Sequence, residues 1–289
     1  MMKNLIVSYF YKLRHDIGFK IVLIIGVALS FLLSLLYFLI GKWIGMSIVS
    51  GTGMYLSSLS PIQNFGIAIP INLVIFTVSE FSHGAIRNKI ISGHSKGKLY
   101  LSLFLDGLIL TFVLLSIYAL LSFAFGSMFG GFDSNELQPT NEVLGTIMSK
   151  RAPDYVWKMT VMAVFCYISI VSLTIFISTL FRNIGACIPV ILILLMFLYL
   201  FGSIISAVNV DENIIWLCRI FDPLYGLGAV EEISLGTETI TIDGHEQVVE
   251  VMGQTIKSET FISGLISNAV YATIFYVAGV IIFKKRDIK

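Results

Sequence analysis

The stretch FKIVLIIGVALSFLLSLLYFLI, Phe19–Ile40, carries a single charge, Lys20, in 22 residues. A helix of that length, at about 1.5 Å per residue, reaches across the roughly 30 Å hydrocarbon core of a bilayer. It exceeds the apolar segment of a secretory signal, about 7–15 residues, and no A-x-A-like site follows it. The stretch is expected to stay in the mature protein as a membrane anchor.

Five more runs have the same character: Pro61–Glu80, Leu99–Phe129, Val156–Phe181, Ile184–Ser206 and Phe261–Phe283. The chain of 289 residues is 56% hydrophobic and 13% charged, with a mean hydropathy of +0.89. A soluble domain is about 25% charged. In lipid only helices and closed barrels satisfy the backbone, and these runs are too long for barrel strands. The expected fold class is an all-α integral membrane protein of six transmembrane helices.

Basic residues set the orientation. With six spans, both termini and the connections after spans two and four share one side. That side holds thirteen of the nineteen Lys and Arg residues and only Asp16, Glu80 and Asp287 as acids. The opposite side holds six bases and fourteen acids. The basic side is expected to be cytoplasmic, and the sequence offers nothing that points to nucleic acid. Cys166, Cys187 and Cys218 make no CxxC spacing, and the four histidines are scattered, so neither a disulfide framework nor a metal site is expected.

Before span one, Leu5, Ile6, Tyr9, Phe10, Leu13 and Ile17 fall on one arc, which predicts an amphipathic helix over 1–18 lying in the headgroups. A simple extension of span one is the alternative. On the acidic side, Gly130–Tyr155 reads as a polar loop. The longer segment 207–260 reads as short amphipathic helices, DENIIWLCRIFDPLYGLGAVEE, followed by a hairpin: Ile240, Ile242, Val249 and Val251 alternate around Asp243-Gly244.

Between spans two and three lies FSHGAIRNKIISGHSKGKLYLS, Phe81–Ser102, which is basic with almost no acid nearby. Ser82 is placed to cap a short helix and Gly93 to end it. Ile86 and Ile90 share one face, and Gly84, Gly93 and Gly97 predict sharp bends at its flanks. Composition alone fits either a loop that obeys the orientation rule or a rigid docking helix.

GAIRNKIISGHSKGKLYLS resembles the cytoplasmic connection after span two in permeases of the type-2 ABC exporter family, which carry a G-x-I-R-N-K-hydrophobic-x-G-x-S-R/K pattern and a Tyr-rich start to span three. FRNIGACIP, Phe181–Pro189, is similar to that family's turn between spans four and five. GVIIFKKRDIK, Gly279–Lys289, is similar to its C-terminal signature. The resemblance implies one permease domain over 1–289, with an interfacial helix at 1–18, a coupling segment at 81–98 and an extracytoplasmic segment at 207–260. It implies pairing with a second copy or a related permease, contact with membrane lipid, and two separate ATPase subunits. Ser82, His83, Gly84, Ile86, Arg87, Asn88, Lys89, Ile90, Gly93, His94 and Ser95 would seat in the ATPase. No G-x-x-x-x-G-K-[ST] loop occurs, so ATP and Mg are expected in that partner and no cofactor on this chain, which is not itself an enzyme. The outer insert Thr237–Thr260 departs from the family pattern and leaves the substrate open.

Other constellations stay at the level of alternatives. Glu80 ends span two and is placed to pair with Arg87 or Lys89. Asp106 lies inside span three; it is either a coupling carboxylate, a structural hydrogen-bonding group, or a side chain reaching towards Lys98. Gln63, Asn64, Ile67, Pro70, Val74 and Thr77, with Phe197, Tyr199 and Phe201 of span five, are candidate walls of a translocation path, against ordinary helix packing. Pro70 is expected to kink span two. Glu231-Glu232 lacks the arginine expected of an intramembrane prenyl-protein protease, and Gly126–Gly130 matches a G-x-x-x-G dimerisation motif at a span end.

Overall fold

The computed structural model describes residues 17–44, 49–61, 67–82, 84–132, 138–139, 147–151, 154–181, 183–207, 224, 231–242 and 245–285. Its helices are α1 (Ile17–Ile44), α2 (Gly51–Ser58), α3 (Ala68–Ser82), α4 (Ala85–Ile91), α5 (Lys96–Gly130), α6 (Tyr155–Leu180), α7 (Ile184–Ala207) and α8 (Ser258–Lys285). Five of them, α1, α5, α6, α7 and α8, are long and apolar enough to cross a bilayer. The chain is a multi-pass, predominantly helical membrane protein.

Of the second expected span, Pro61–Glu80, residues 62–66 lie outside the described residues. Helix α3 has 15 residues, about 22 Å of rise. Among the described residues it reaches span length together with α4, from which it is bent by 49°. Pro70 does not kink α3. It is the third residue of the helix, where its missing N–H would have had no intrahelical acceptor in any case.

Helix α6 is central: 67% of its most apolar window is buried, against 17% for α1, α7 and α8. Because lipid is as apolar as a leucine side chain, helices associate through close packing and polar contacts. At the α6–α8 seam Ser169 Oγ donates to Asn268 Oδ1 at 2.8 Å, and Ser172 Oγ donates to the Ala272 carbonyl at 2.7 Å. At the α1–α5 seam Gly26, Ser30 and Ser34, four residues apart, are buried, and Ser122 Oγ lies 3.5 Å from Ser30 Oγ.

Helix α2 has no counterpart among the sequence expectations. Ser50 caps it, accepting from the Gly53 N–H at 3.0 Å. The helix lies against the end of α5, and here the G-x-x-x-G motif is used within the chain. A Cβ on Gly126 would sit 2.8 Å from the Ser50 carbonyl oxygen, and one on Gly130 would sit 1.9 Å from that of Val49. The two glycines admit their own chain's backbone; the dimerisation reading is corrected accordingly.

The segment read as a polar loop, Gly130–Tyr155, contributes two strands, β1 (Gln138–Pro139) and β2 (Ile147–Arg151). They join β3 (Glu231–Ile242) and β4 (His245–Thr255) in a sheet of order β1-β2-β4-β3. The all-α expectation therefore holds for the bundle and not for this portion. Strands β3 and β4 form the expected antiparallel hairpin, with Ile242 opposite His245 and Asp243-Gly244 between them, and a bulge between Ser234 and Gly236. Strand β2 pairs in parallel with β4, Ile147 opposite Glu250. Glu231-Glu232 opens β3. The helix expected over 1–18 and the short helices expected after residue 210 lie almost wholly outside the described residues.

The sheet is rooted in the bundle where β4 ends. Ile256 is fully buried among Tyr155 and Met159. Lys158 Nζ donates to the Ile256 carbonyl at 2.7 Å and pairs with Asp154, and Thr255 Oγ1 donates to Asp154 Oδ1 at 3.0 Å. The hydrogen bond from Lys158, seconded by that from Thr255, holds the Asp154 carboxyl below its ordinary value against the opposing effect of burial.

Candidate functional site

The site is the elbow α3–α4–α5. Helix α3 runs on through Ser82, and the chain turns at Gly84 with φ 69°. Gly84, and not Ser82, occupies the N-cap of α4, and no side chain caps it. A left-handed residue is needed where α3 gives way to α4 within two residues, and glycine takes that conformation at little cost. His83 lies outside the described residues. At the other end the Gly93 N–H donates to the Ile90 carbonyl at 3.0 Å with Gly93 at φ 89°. The His94 N–H donates to the Lys89 carbonyl at 3.2 Å, and Ser95 stands at the N-cap of α5. Gly97 makes no bend; it lies within the first turn of α5, 3.2 Å (measured from where its Cβ would be) from Lys284 Cε.

Helix α4 is anchored on one side and bare on the other. Ile86 is 2% exposed and, with the partly buried Ile90, packs into the main core. Lys89 Nζ donates to Glu80 Oε2 at 3.1 Å, fastening α4 to the last turn of α3. Arg87, Asn88, Ile91 and Ser92 are exposed, Ile91 at 73%. Ile91 was not singled out in the sequence. The signal was present, since two adjacent isoleucines, 90 and 91, cannot both lie on a narrow apolar face.

The three stretches that carry the resemblance meet in part. Tyr100, in the first turns of α5, is fully buried. Its ring lies 5.7 Å from that of Phe283 and 5.6 Å from that of Tyr276, and Phe283 also meets Phe81 of α3 at 5.8 Å. A Cβ on Gly279 would fall 1.8 Å from Tyr100 Oη. Gly279 and Phe283 of the C-terminal stretch thus brace the elbow between α3 and α5. The turn Phe181–Pro189 stands apart: Asn183 Oδ1 accepts from the Gly185 N–H at 3.0 Å and starts α7.

Asp106 is 6% exposed, inside the bundle. Its neighbour Gly107 lies where α3, α5 and α6 pack closely, and a Cβ there would meet Ile175 at 2.9 Å and Leu73 at 3.0 Å. Among the described residues, the candidate path residues of span two and of α7 lie on different surfaces. Ile67 is half-buried just before α3, and Pro70, Val74 and Thr77 are buried. Val74 packs with Ile170 and Leu173 of α6 and with Ile191 and Leu195 of α7. Phe197, Tyr199 and Phe201 are exposed elsewhere on α7, with Phe197 and Phe201 stacked at 6.1 Å. Two residues along a helix is a turn of about 200°, so Phe197 points away from the side of Leu195 that meets α3. Gln63 and Asn64 lie outside the described residues. Among the described residues no group of three His, Cys, Asp or Glu side chains is placed to hold a metal ion.

The family DUF2705, described as a protein of unknown function, matches residues 47–289, and the chain belongs to that family. No curated protein and no solved structure matches the chain.

Proposed function

We propose that the chain is the permease subunit of an ATP-driven ABC exporter in a bacterial cytoplasmic membrane, with both termini cytoplasmic and the sheet outside. The carrying observation is the built elbow. A seven-residue helix is clamped to the bundle by buried Ile86 and by the Lys89–Glu80 pair, and it presents Arg87, Asn88 and Ile91 outward. Transmitting force needs a rigid knob with a surface that a partner can grip. A loop that only satisfies charge orientation needs neither the anchor nor the braces from Tyr100 and Phe283. ATP and Mg belong to two partner ATPase subunits, and a second permease completes the path. The cargo that suits apolar walls is an amphipathic or hydrophobic peptide, an antibiotic or a lipid-like molecule.

The test is co-purification of the chain with an ATPase from the same cell, then hydrolysis assays on the complex. Arg87→Glu with Ile91→Asp should release the ATPase while leaving the bundle folded. Retained association with that variant, or transport that follows an ion gradient and ignores ATP, would overturn the reading in favour of a secondary transporter or channel. Normal function with residues 84–95 replaced by a flexible linker would favour a membrane sensor or scaffold.

A further inference from the structure

Two strands of the sheet run on into two of the long helices. Strand β2 lies parallel to β4, with Arg151 opposite Gln254, and α6 and α8 each begin four residues further on. The helices keep that pairing across the bundle. The ring of Trp157 meets that of Phe261 at 5.3 Å, Ser169 bonds Asn268, Ser172 bonds the Ala272 carbonyl, and the ring of Phe176 meets that of Phe275 at 5.7 Å. The partners advance together along both helices, so α6 and α8 are parallel, as β2 and β4 are.

The step from strand pair to helix pair is fastened across the seam. Thr255, the last residue of β4, donates to Asp154 at the N-cap of α6, and Lys158, one turn into α6, donates to the Ile256 carbonyl. Both Lys158 and Ile256 are buried. The Phe261 N–H donates to the Lys257 carbonyl at 2.9 Å, so helical bonding starts two residues after β4 ends and leaves little slack. Helix α8 has 28 residues, about 42 Å of rise. At its other end it bears on the elbow: Gly279 and Phe283 lie against Tyr100, and the Lys284 carbonyl accepts from Lys96 Nζ.

A spanning helix closes its backbone hydrogen bonds internally, and two such helices bonded along their seam resist bending more than either alone. We propose that the sheet, α6 and α8 move as one body, so that a displacement of α8 at the elbow shifts the sheet at the opposite end of the bundle. Movements of this kind are rigid-body switches. The coupling is reciprocal: whatever holds the sheet also holds α8 against the elbow. The device goes beyond the permease reading, because it needs no ATPase and would serve a transporter or a sensor alike.

The experiment places pairs of spin labels on the full chain in lipid nanodiscs and measures the distance within each pair. Thr239 of β3, Trp43 near the end of α1 and Lys285 at the end of α8 are exposed and suit cysteine substitution. Cys166 and Cys187 are buried, and Cys218 is replaced by serine. The pair 239–285 lies within the proposed body and should give one narrow distance distribution. Gly279→Ala then acts as a wedge. Its Cβ would stand 1.8 Å from Tyr100 Oη, and ordinary contact near 4 Å requires the joint to open by about 2 Å. The pair 239–43 should shift by a similar amount while 239–285 stays unchanged. Adding Tyr100→Phe removes the nearest atom and should reverse part of the shift, which separates displacement from misfolding. A broad or split 239–285 distribution would overturn the proposal. So would a 239–43 distance that does not move in Gly279→Ala, or a shift that Tyr100→Phe leaves undiminished.

Discussion

Lys89 Nζ lies 3.1 Å from Glu80 Oε2, and the carboxylate end of the pair is almost wholly buried while the ammonium end is about one-third exposed. The pair closes the angle between α3 and α4 and makes the elbow a single part. Partial exposure limits its value, since screened pairs contribute about 0–1 kcal/mol. A double-mutant cycle of Glu80→Gln and Lys89→Gln, read by unfolding in detergent, should return a coupling energy of about 1 kcal/mol. Strict additivity would mean that the clamp contributes nothing.

Gly279 and Tyr100 make a second joint. Gly279→Ala puts a methyl group where the Tyr100 phenol stands, and overpacking of this kind costs about 1–3 kcal/mol. The Tyr100 hydroxyl is buried with no hydrogen-bond partner among the described residues, so Tyr100→Phe alone should be neutral or mildly stabilising. The double variant should recover part of the Gly279→Ala loss in thermal melts. A fully additive result would refute the contact.

Gly130 faces the Val49 backbone, which cannot rotate out of the way as a side chain can. Gly130→Ala should destabilise the protein by about 2 kcal/mol or more and loosen the junction of α2 with α5. Cross-linking between copies should be unchanged, because the motif is satisfied inside one chain. Loss of cross-linked dimer without loss of stability would restore the intermolecular reading.

The Asp154–Lys158–Thr255 cluster predicts an acid sensitivity. The folded carboxyl titrates below its ordinary value of 3.8, so its contribution is present at neutral pH and is lost as pH falls through the lowered folded value. Hydrogen exchange at the β4 end, measured relative to the intrinsic amide rate, should therefore quicken below about pH 4. Asp154→Asn should quicken it at neutral pH and flatten that dependence. An unchanged acid profile in the variant would remove Asp154 from the anchor.

How much of the site was legible depended on whether each signal was local. Gly93 as a helix stop and the candidate Glu80–Lys89 pair lay within a dozen residues of sequence, and both are present. The cap at Ser82 was misplaced by two residues, because the end of one helix and the start of the next share the same polar residues. Ile91 as the exposed knob, and Val74 and Thr77 as packed rather than open positions, depended on which neighbouring helix covers each face.

The amino-acid sequence by itself determined that this chain is a helical membrane protein. Run length and hydropathy are sums over adjacent residues, and the bilayer imposes one thickness on them all. Only the tertiary structure decided that β2 lies beside β4, that the glycines at 126 and 130 meet the chain's own backbone, and that Gly97 lies against Lys284. Each of these joins segments far apart in the chain, and which surfaces meet is set by shape and by the pairing of buried polar groups across the whole bundle. No local pattern encodes that choice.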